Sequence, residues 1–169
     1  MSTQELMTGR PVDAGAGDAV SLLTNDHAEV TGLFEDYQDL VDGEAADEEK
    51  QALAERICAM LTVHATIEEE IFYPAAREQL DEQNLLDEAE VEHATAKDLI
   101  EQIQSMEPDD ELYDAKVKVL GEYVIHHVQE EEDELFPLCQ TGDMDLDELG
   151  EELAARKDDL MEELGLADE

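Results

Sequence analysis

The chain has 169 residues, 42% of them apolar, and sets 49 acidic against nine basic residues for a formal net charge of −40. That length carries one domain with a sizeable core, and the apolar share excludes a wholly disordered chain. The acidic excess repels nucleic acid and anionic membrane, so neither is expected as a partner.

The opening MSTQELMTGRPVDAGAG is rich in small and polar residues and reads as a flexible leader over 1–17. It lacks the charged start and apolar run of a secretion signal, and no stretch approaches the roughly 20 apolar residues of a membrane span. A cytoplasmic protein is expected. Cys58 and Cys139 form no CxxC pattern and read as free thiols.

Beyond the leader there is almost no strand signal. A first helix is predicted over about 18–42, with Val20, Leu23, His27, Val30, Phe34, Tyr37 and Val41 on an inward stripe that Gly43 ends. A second is predicted over about 47–79, with Leu53, Ile57, Met60, His64, Ile67 and Ile71 inward; Pro74 should kink or interrupt it. A third spans about 85–106, with Leu86, Ala89, His93, Ala96, Ile100 and Ile103 inward. The fourth spans about 110–135, with Leu112, Val119, Tyr123, His127 and Glu131 inward, and Pro137 closes it. A shorter amphipathic segment over about 146–164 packs outside as a fifth helix. Short connections favour antiparallel neighbours, hence an all-α, up-down-up-down four-helix bundle over 18–140, with residues 141–169 as a C-terminal helix packed on it.

An internal repeat supports this. HATIEEEIFYP from His64 aligns with HVQEEEDELFP from His127, and 63 residues separate both the histidines and the prolines Pro74 and Pro137. NDHAEVTGLF around His27 aligns with VEHATAKDLI around His93, 66 residues on. The unit is a helical hairpin used twice, related by a pseudo-twofold axis.

The repeat carries chemistry in register. Residues four apart share a helix face, so His64 with Glu68 and His127 with Glu131 reach one small volume, which His27 and His93 join. Six polar side chains in one buried layer cost about 1–3 kcal/mol each without partners, against a total stability of about 5–15 kcal/mol. A metal removes that cost. Six nitrogen and oxygen donors suit octahedral iron or manganese, whereas a closed zinc site needs four. A ferritin-like reading requires two ExxH motifs; Glu90 and His93 form one, but neither His126 nor His127 completes a second. Nucleophilic triads find no support, and paired-carboxylate hydrolysis finds little, because Glu68 and Glu131 are better used as ligands. His126 and Glu130 form an overlapping HxxxE frame, and the proline register selects His127 and Glu131 over it.

The pattern H…HxxxE…H…HxxxE, each HxxxE leading through an acidic run to FYP or LFP, resembles the hemerythrin-like HHE cation-binding family over about 18–140. The resemblance implies a hemerythrin-like bundle in which His27, His64, Glu68, His93, His127 and Glu131 are metal ligands. They would hold two non-haem iron ions in an oxo- or hydroxo-bridged di-iron centre, with manganese or zinc in second place. One departure matters. Oxygen-carrying hemerythrins have a further histidine one turn after the third-helix ligand, where this chain has Lys97. Of about twelve octahedral positions, roughly two stay open, near which Tyr123 can donate a hydrogen bond. The implied function is to bind, sense or buffer oxygen, iron or a related small molecule, with a small diatomic or peroxide as the ligand. The alternative is a di-iron enzyme consuming peroxide or nitric oxide, catalase-like or oxidase-like. A metal-free acidic interaction bundle is the third reading.

Acidic residues recur along nearly the whole chain, which points to the protein's surroundings rather than to one tail. Such self-repulsion is tolerable where salt cuts the Debye length to about 3 Å, as in a halophilic, salt-filled cytoplasm; an acidic scaffold for a basic partner is the alternative. The unfolding midpoint is expected to rise between about 0.1 M and 2 M KCl as the repulsion is screened. A chemical-denaturation series against KCl checks this, and a midpoint indifferent to salt would remove the halophilic reading.

Overall fold

Five helical rods form in the computed structural model, which describes residues 18–166; the expected leader lies outside the described residues. Helix α1 is Ala19–Asp42, started by the Asp18 side chain accepting from the Ser21 N–H. Helix α2 joins Asp47–Ile67, a π-helical turn Glu68–Phe72 and Tyr73–Gln79 into one rod. Asp47, Glu48 and Glu49 in its first turn complement the positive end of the helix dipole. Helix α3 is Gln83–Gln104. Helix α4 joins Tyr113–Glu130, a second π-helical turn Glu131–Leu135 and Phe136–Thr141. Helix α5 is Leu146–Glu163, capped by Asp145, and lies along α1 and α2. The chain is an all-α bundle, as expected, and no helix among the described residues is long and apolar enough to cross a membrane.

Two apolar clusters fill the bundle. One gathers Leu22, Leu23, Phe72, Leu86, Leu135, Phe136 and Leu153; the other gathers Val30, Phe34, Ile57, Leu61, Ile100, Leu120 and Val124. Going along α1 the first cluster precedes His27 and the second follows it. Along α2 the order is reversed around His64, and α3 and α4 repeat the alternation around His93 and His127. The helices are therefore antiparallel in sequence, and the four histidines share one level between two apolar plugs. Cys58 and Cys139 are free, buried and in different clusters; burial pushes both thiols up to about 12.

The prolines do not end their helices. Pro137 was expected to close α4, yet α4 runs on to Thr141, and Pro74 leaves α2 continuous. A proline ring collides with the carbonyl four residues back and supplies no N–H. In both rods the preceding turn is widened: the Tyr73 N–H bonds the Glu68 carbonyl, and the Phe136 N–H bonds the Glu131 carbonyl. A five-residue turn accommodates the ring without breaking the rod. It also advances the helix face, so that Phe72 and Tyr73 are buried and Ile71 only partly so.

A second correction concerns α4. Leu112, Val119 and Tyr123 were expected inward, but they are 58%, 41% and 43% exposed, while Tyr113, Val117, Leu120 and Val124 are buried. Counting back from His127, an inward stripe continues equally well at the third or the fourth residue. Close approach of α1 decides between them, because Gly121 lets the Phe34 ring lie against the α4 backbone. A Cβ at Gly121 would fall 2.9 Å from Phe34 Cδ1.

Gly121→Ala sets two effects against each other. Helix propensity favours alanine by about 1 kcal/mol, and overpacking costs about 1–3 kcal/mol. A net fall of a few degrees in melting temperature is expected by calorimetry. A rise would show that the Phe34 ring moves aside freely.

Candidate metal centre

Helices α1 to α4 each deliver one histidine to the same level, and the two glutamates tie these four into two groups. Glu68 places Oε2 3.3 Å from His64 Nε2 and Oε1 3.1 Å from His93 Nε2. Glu131 places Oε1 3.1 Å from His27 Nε2 and Oε2 3.2 Å from His127 Nε2. His27, His64, Glu68 and Glu131 therefore form one group able to hold a metal ion, and Glu68, His93, His127 and Glu131 form another. Each carboxylate spans both groups with one oxygen in each. All six residues singled out in the sequence are buried and converge.

Outside this layer lies a ring of acids. His64 Nδ1 is 3.0 Å from Asp26, His127 Nδ1 2.5 Å from Glu92, His93 Nδ1 2.7 Å from Glu69, and His27 Nδ1 2.7 Å from Glu132. A carboxylate can only accept, so each Nδ1 carries the proton and donates. That leaves every Nε2 lone pair turned toward the centre, the tautomer a metal ligand needs. Two of the acids are themselves held: Lys157 of α5 reaches Asp26 at 2.5 Å, and Lys97 reaches Glu69 at 2.6 Å.

The repeat extends to this ring, which sequence reasoning missed. Asp26 and Glu92 each precede the first histidine of their hairpin and hold the second. Glu69 and Glu132 each follow the spanning glutamate and hold the histidine of the other hairpin. The signal was present in the aligned DH and EH pairs and in the two EE pairs.

Without a cation the layer is frustrated. His27 Nε2 and His64 Nε2 lie 3.1 Å apart, so two lone pairs confront each other unless positive charge sits between them. Glu68 Oε2 and Glu131 Oε1 are buried and accept no hydrogen bond. In the metal-free chain protons meet the demand. Burial lowers the His64 pKa, but the Glu68 charge and the Asp26 bond outweigh it and hold the imidazole well above its ordinary range. His127 is raised to about 9, burial again being overcome by Glu131. Burial raises Glu68, yet His64 and His93 pull it well below the usual carboxylate range. Orphaned oxygens, inward Nε2 atoms and a nitrogen–oxygen donor set together fit divalent or trivalent metal ions.

Tyr73 is a further residue of the site. Its hydroxyl donates to Glu68 Oε1 at 3.1 Å and to Glu131, and lies 3.2 Å from His93 Nε2 and 3.4 Å from His127 Nε2. Burial and the charges of Glu131 and Glu68 push its pKa well up, so it keeps its proton. The aligned position in the second hairpin is Phe136, whose ring lies parallel to His27 at 5.8 Å. The two groups thus differ: one has a phenol beside it and the other a benzyl ring. Tyr123, expected near the open positions, instead stands at the half-exposed rim of an apolar cavity of about 50 Å³ that touches all four histidines. Lys97, 49% exposed, braces Glu69 and also lines that cavity. His126 faces outward and pairs with Glu130 at 3.1 Å.

The chain matches the hemerythrin HHE cation binding domain over residues 18–139. It is similar to a hemerythrin HHE cation binding domain-containing protein from Mycobacterium kansasii of known crystal structure, with a TM-score of 0.73 and 25% identity over 87% of this chain and 89% of that one. It is also similar to a protein of Nostoc sp. named DNA nickase, 35% identical over 115 residues, which make up 66% of this chain and 30% of that protein. The match therefore spans less than a third of the Nostoc protein's length.

The metal-free protein should show its protons in a pH series. A folded pKa of about 9 at His127 exceeds an unfolded value near 6.5, so the associated stability is complete below about pH 6.5 and is lost as pH rises through about 9. His64 and His93 shift in the same direction. Chelator-treated protein is expected to melt several degrees lower at about pH 9.5 than at about pH 6.5, and metal-loaded protein much less so, because ions replace the protons. A melting temperature flat across that window without metal would mean that the folded imidazoles are neutral.

Proposed function

The chain belongs to the hemerythrin HHE cation binding domain family, and on that footing we propose that it holds two iron ions and uses them to bind, sense or buffer oxygen, iron or a related small molecule. His27 and His64 would hold one ion, His93 and His127 the other, and Glu68 and Glu131 would span the pair. The observation that carries this reading is the division of each glutamate, one oxygen to each four-residue group. Two separate mononuclear sites would not need carboxylates shared in that way. Iron, when bound, supplies open positions for a small ligand and a reversible change of oxidation state.

The rest is done by the chain's own residues. Val30, Leu61, Ala96, Ile100 and Val124 line the cavity beside the histidines; their apolar walls admit a small neutral molecule and disfavour ions. The acid ring keeps each Nε2 aimed inward. The charge of −40 repels a polyanion, so a small ligand rather than nucleic acid is the proposed partner. The same charge supports a salt-rich cytoplasmic setting.

A second reading, an enzyme consuming peroxide or nitric oxide, draws on Tyr73. Its hydroxyl is a retained proton in contact with both spanning glutamates and with His93 and His127, placed to pass to a ligand beside the second group.

Elemental analysis of iron-loaded protein is expected to return about two irons per chain; a value well below that favours the metal-free acidic bundle. On the binding reading, peroxide mixed with loaded protein decays no faster than with the same concentration of free iron. Sustained turnover that Tyr73→Phe slows about tenfold or more, with iron content unchanged, would establish the enzyme instead.

A further inference from the structure

Helix α5 lies beyond residue 139, where the match to the family ends, yet one of its side chains reaches the acids behind the histidines. Leu153 is fully buried in the first apolar cluster, with Leu149 and Leu160 packed beside it. Lys157 follows Leu153 by four residues, so it leaves α5 on the same face. Its ammonium donates to Asp26 Oδ1 at 2.5 Å, and Asp26 Oδ2 accepts from His64 Nδ1 at 3.0 Å. Asp26 is therefore divided, one oxygen for a histidine of the centre and one for a cation of another helix. Lys97 of α3 does the same to Glu69 behind His93, so each four-residue group has one histidine whose acid is braced by a lysine.

That division has an electrostatic consequence. A carboxylate on Nδ1 pushes electron density through the imidazole and makes Nε2 a stronger donor. An ammonium on the same carboxylate draws part of that charge away. The Lys157 and Asp26 side chains are only 23% and 6% exposed, so salt screens the pair weakly. One residue along, Arg156 pairs with Glu70 at 2.8 Å, and these side chains are 34% and 47% exposed. Arg156 carries the same charge on the same helix but is directed at Glu70 instead of the acid ring.

We propose that Lys157 is a positioning residue for the metal centre: bound to Asp26, it limits the electron donation of His64, and so lets α5 set the ferric–ferrous balance and the metal affinity of the His27–His64 group. This role rests on the di-iron reading above. With α5 seated, the Asp26 charge is balanced and His64 is a neutral imidazole of ordinary donor strength. With Lys157 withdrawn, Asp26 is left as an uncompensated buried charge. His64 then becomes the stronger donor, and the more highly charged metal ion is favoured.

The test uses the full chain loaded with iron in about 1 M KCl, where exposed charges are screened. Wild type, Lys157→Met, Lys157→Arg, Asp26→Asn/Lys157→Met and Arg156→Met are compared by redox titration followed in the absorption spectrum. Lys157→Met is expected to favour the ferric state about tenfold, a potential lower by about 59 mV for one electron. Lys157→Arg and the charge control Arg156→Met should stay near wild type. The double variant should return toward wild type, because its asparagine still accepts from His64 but carries no charge. A merely structural role would leave the double variant shifted along with Lys157→Met, since both lose the anchor of α5. That result, or equal potentials throughout, overturns the proposal. Iron content alone reports on the di-iron reading. If wild type takes up no iron, that reading fails, and the same metal-free variants are titrated with Co²⁺ by calorimetry. Binding about tenfold tighter in Lys157→Met alone then supports the role of Lys157, and equal affinities or no uptake overturn it.

Discussion

In the buried layer, lone pairs face lone pairs. The acid ring fixes a proton on each Nδ1, so four Nε2 lone pairs and four glutamate oxygens are directed at the same small space with little of their own to donate. An unsatisfied buried polar group costs about 1–3 kcal/mol, and the whole fold has about 5–15 kcal/mol to spare. The two apolar clusters must hold the layer together, and positive charge must occupy it. Protons fill that role in part, held on the imidazoles by the neighbouring carboxylates against the opposition of burial. Metal ions fill it better, because each can satisfy several donors at once.

The same constraint explains how the hairpins are joined. Asp26 and Glu92 act within a hairpin, Glu69 and Glu132 between hairpins, so every histidine is locked by a neighbouring helix. Rotating one helix would misplace its own ligand and release another's. Helix α5 enters this network through Lys157, which neutralises Asp26 from the outside. Burial raises the Asp26 pKa, but His64 and Lys157 together bring it below the ordinary value. The C-terminal helix is thus linked to the centre through one salt bridge, beyond the apolar cover that Leu153 provides.

Duplication built a site whose two halves are not equivalent. The widened turns recur after Glu68 and Glu131, and both prolines recur with them, but Tyr73 in one hairpin is Phe136 in the other. A phenol close to two histidines and two glutamates gives one group a proton donor that the other lacks. On the proposal that two ions are held, symmetric ligands with an asymmetric neighbour would place the two in different surroundings.

Much of this was legible in the residues alone. Local periodicity of three and four shows helices, Gly43 and the loop lengths show antiparallel turns, and the repeat singles out His27, His64, Glu68, His93, His127 and Glu131 because it keeps them in register. These are properties of a single helix or of one stretch compared with another, which a sequence carries directly. Tertiary structure decided the rest. Whether α4 buries Val124 or Tyr123, whether Pro137 stops a helix or merely widens a turn, which acid holds which histidine, and whether Lys157 meets Asp26 all depend on the rotation and spacing of helices distant in the chain. A period of 3.6 leaves that rotation uncertain by about one residue, or some 100°, and only the packing of Phe34 on Gly121 and the closure of the acid ring remove the ambiguity.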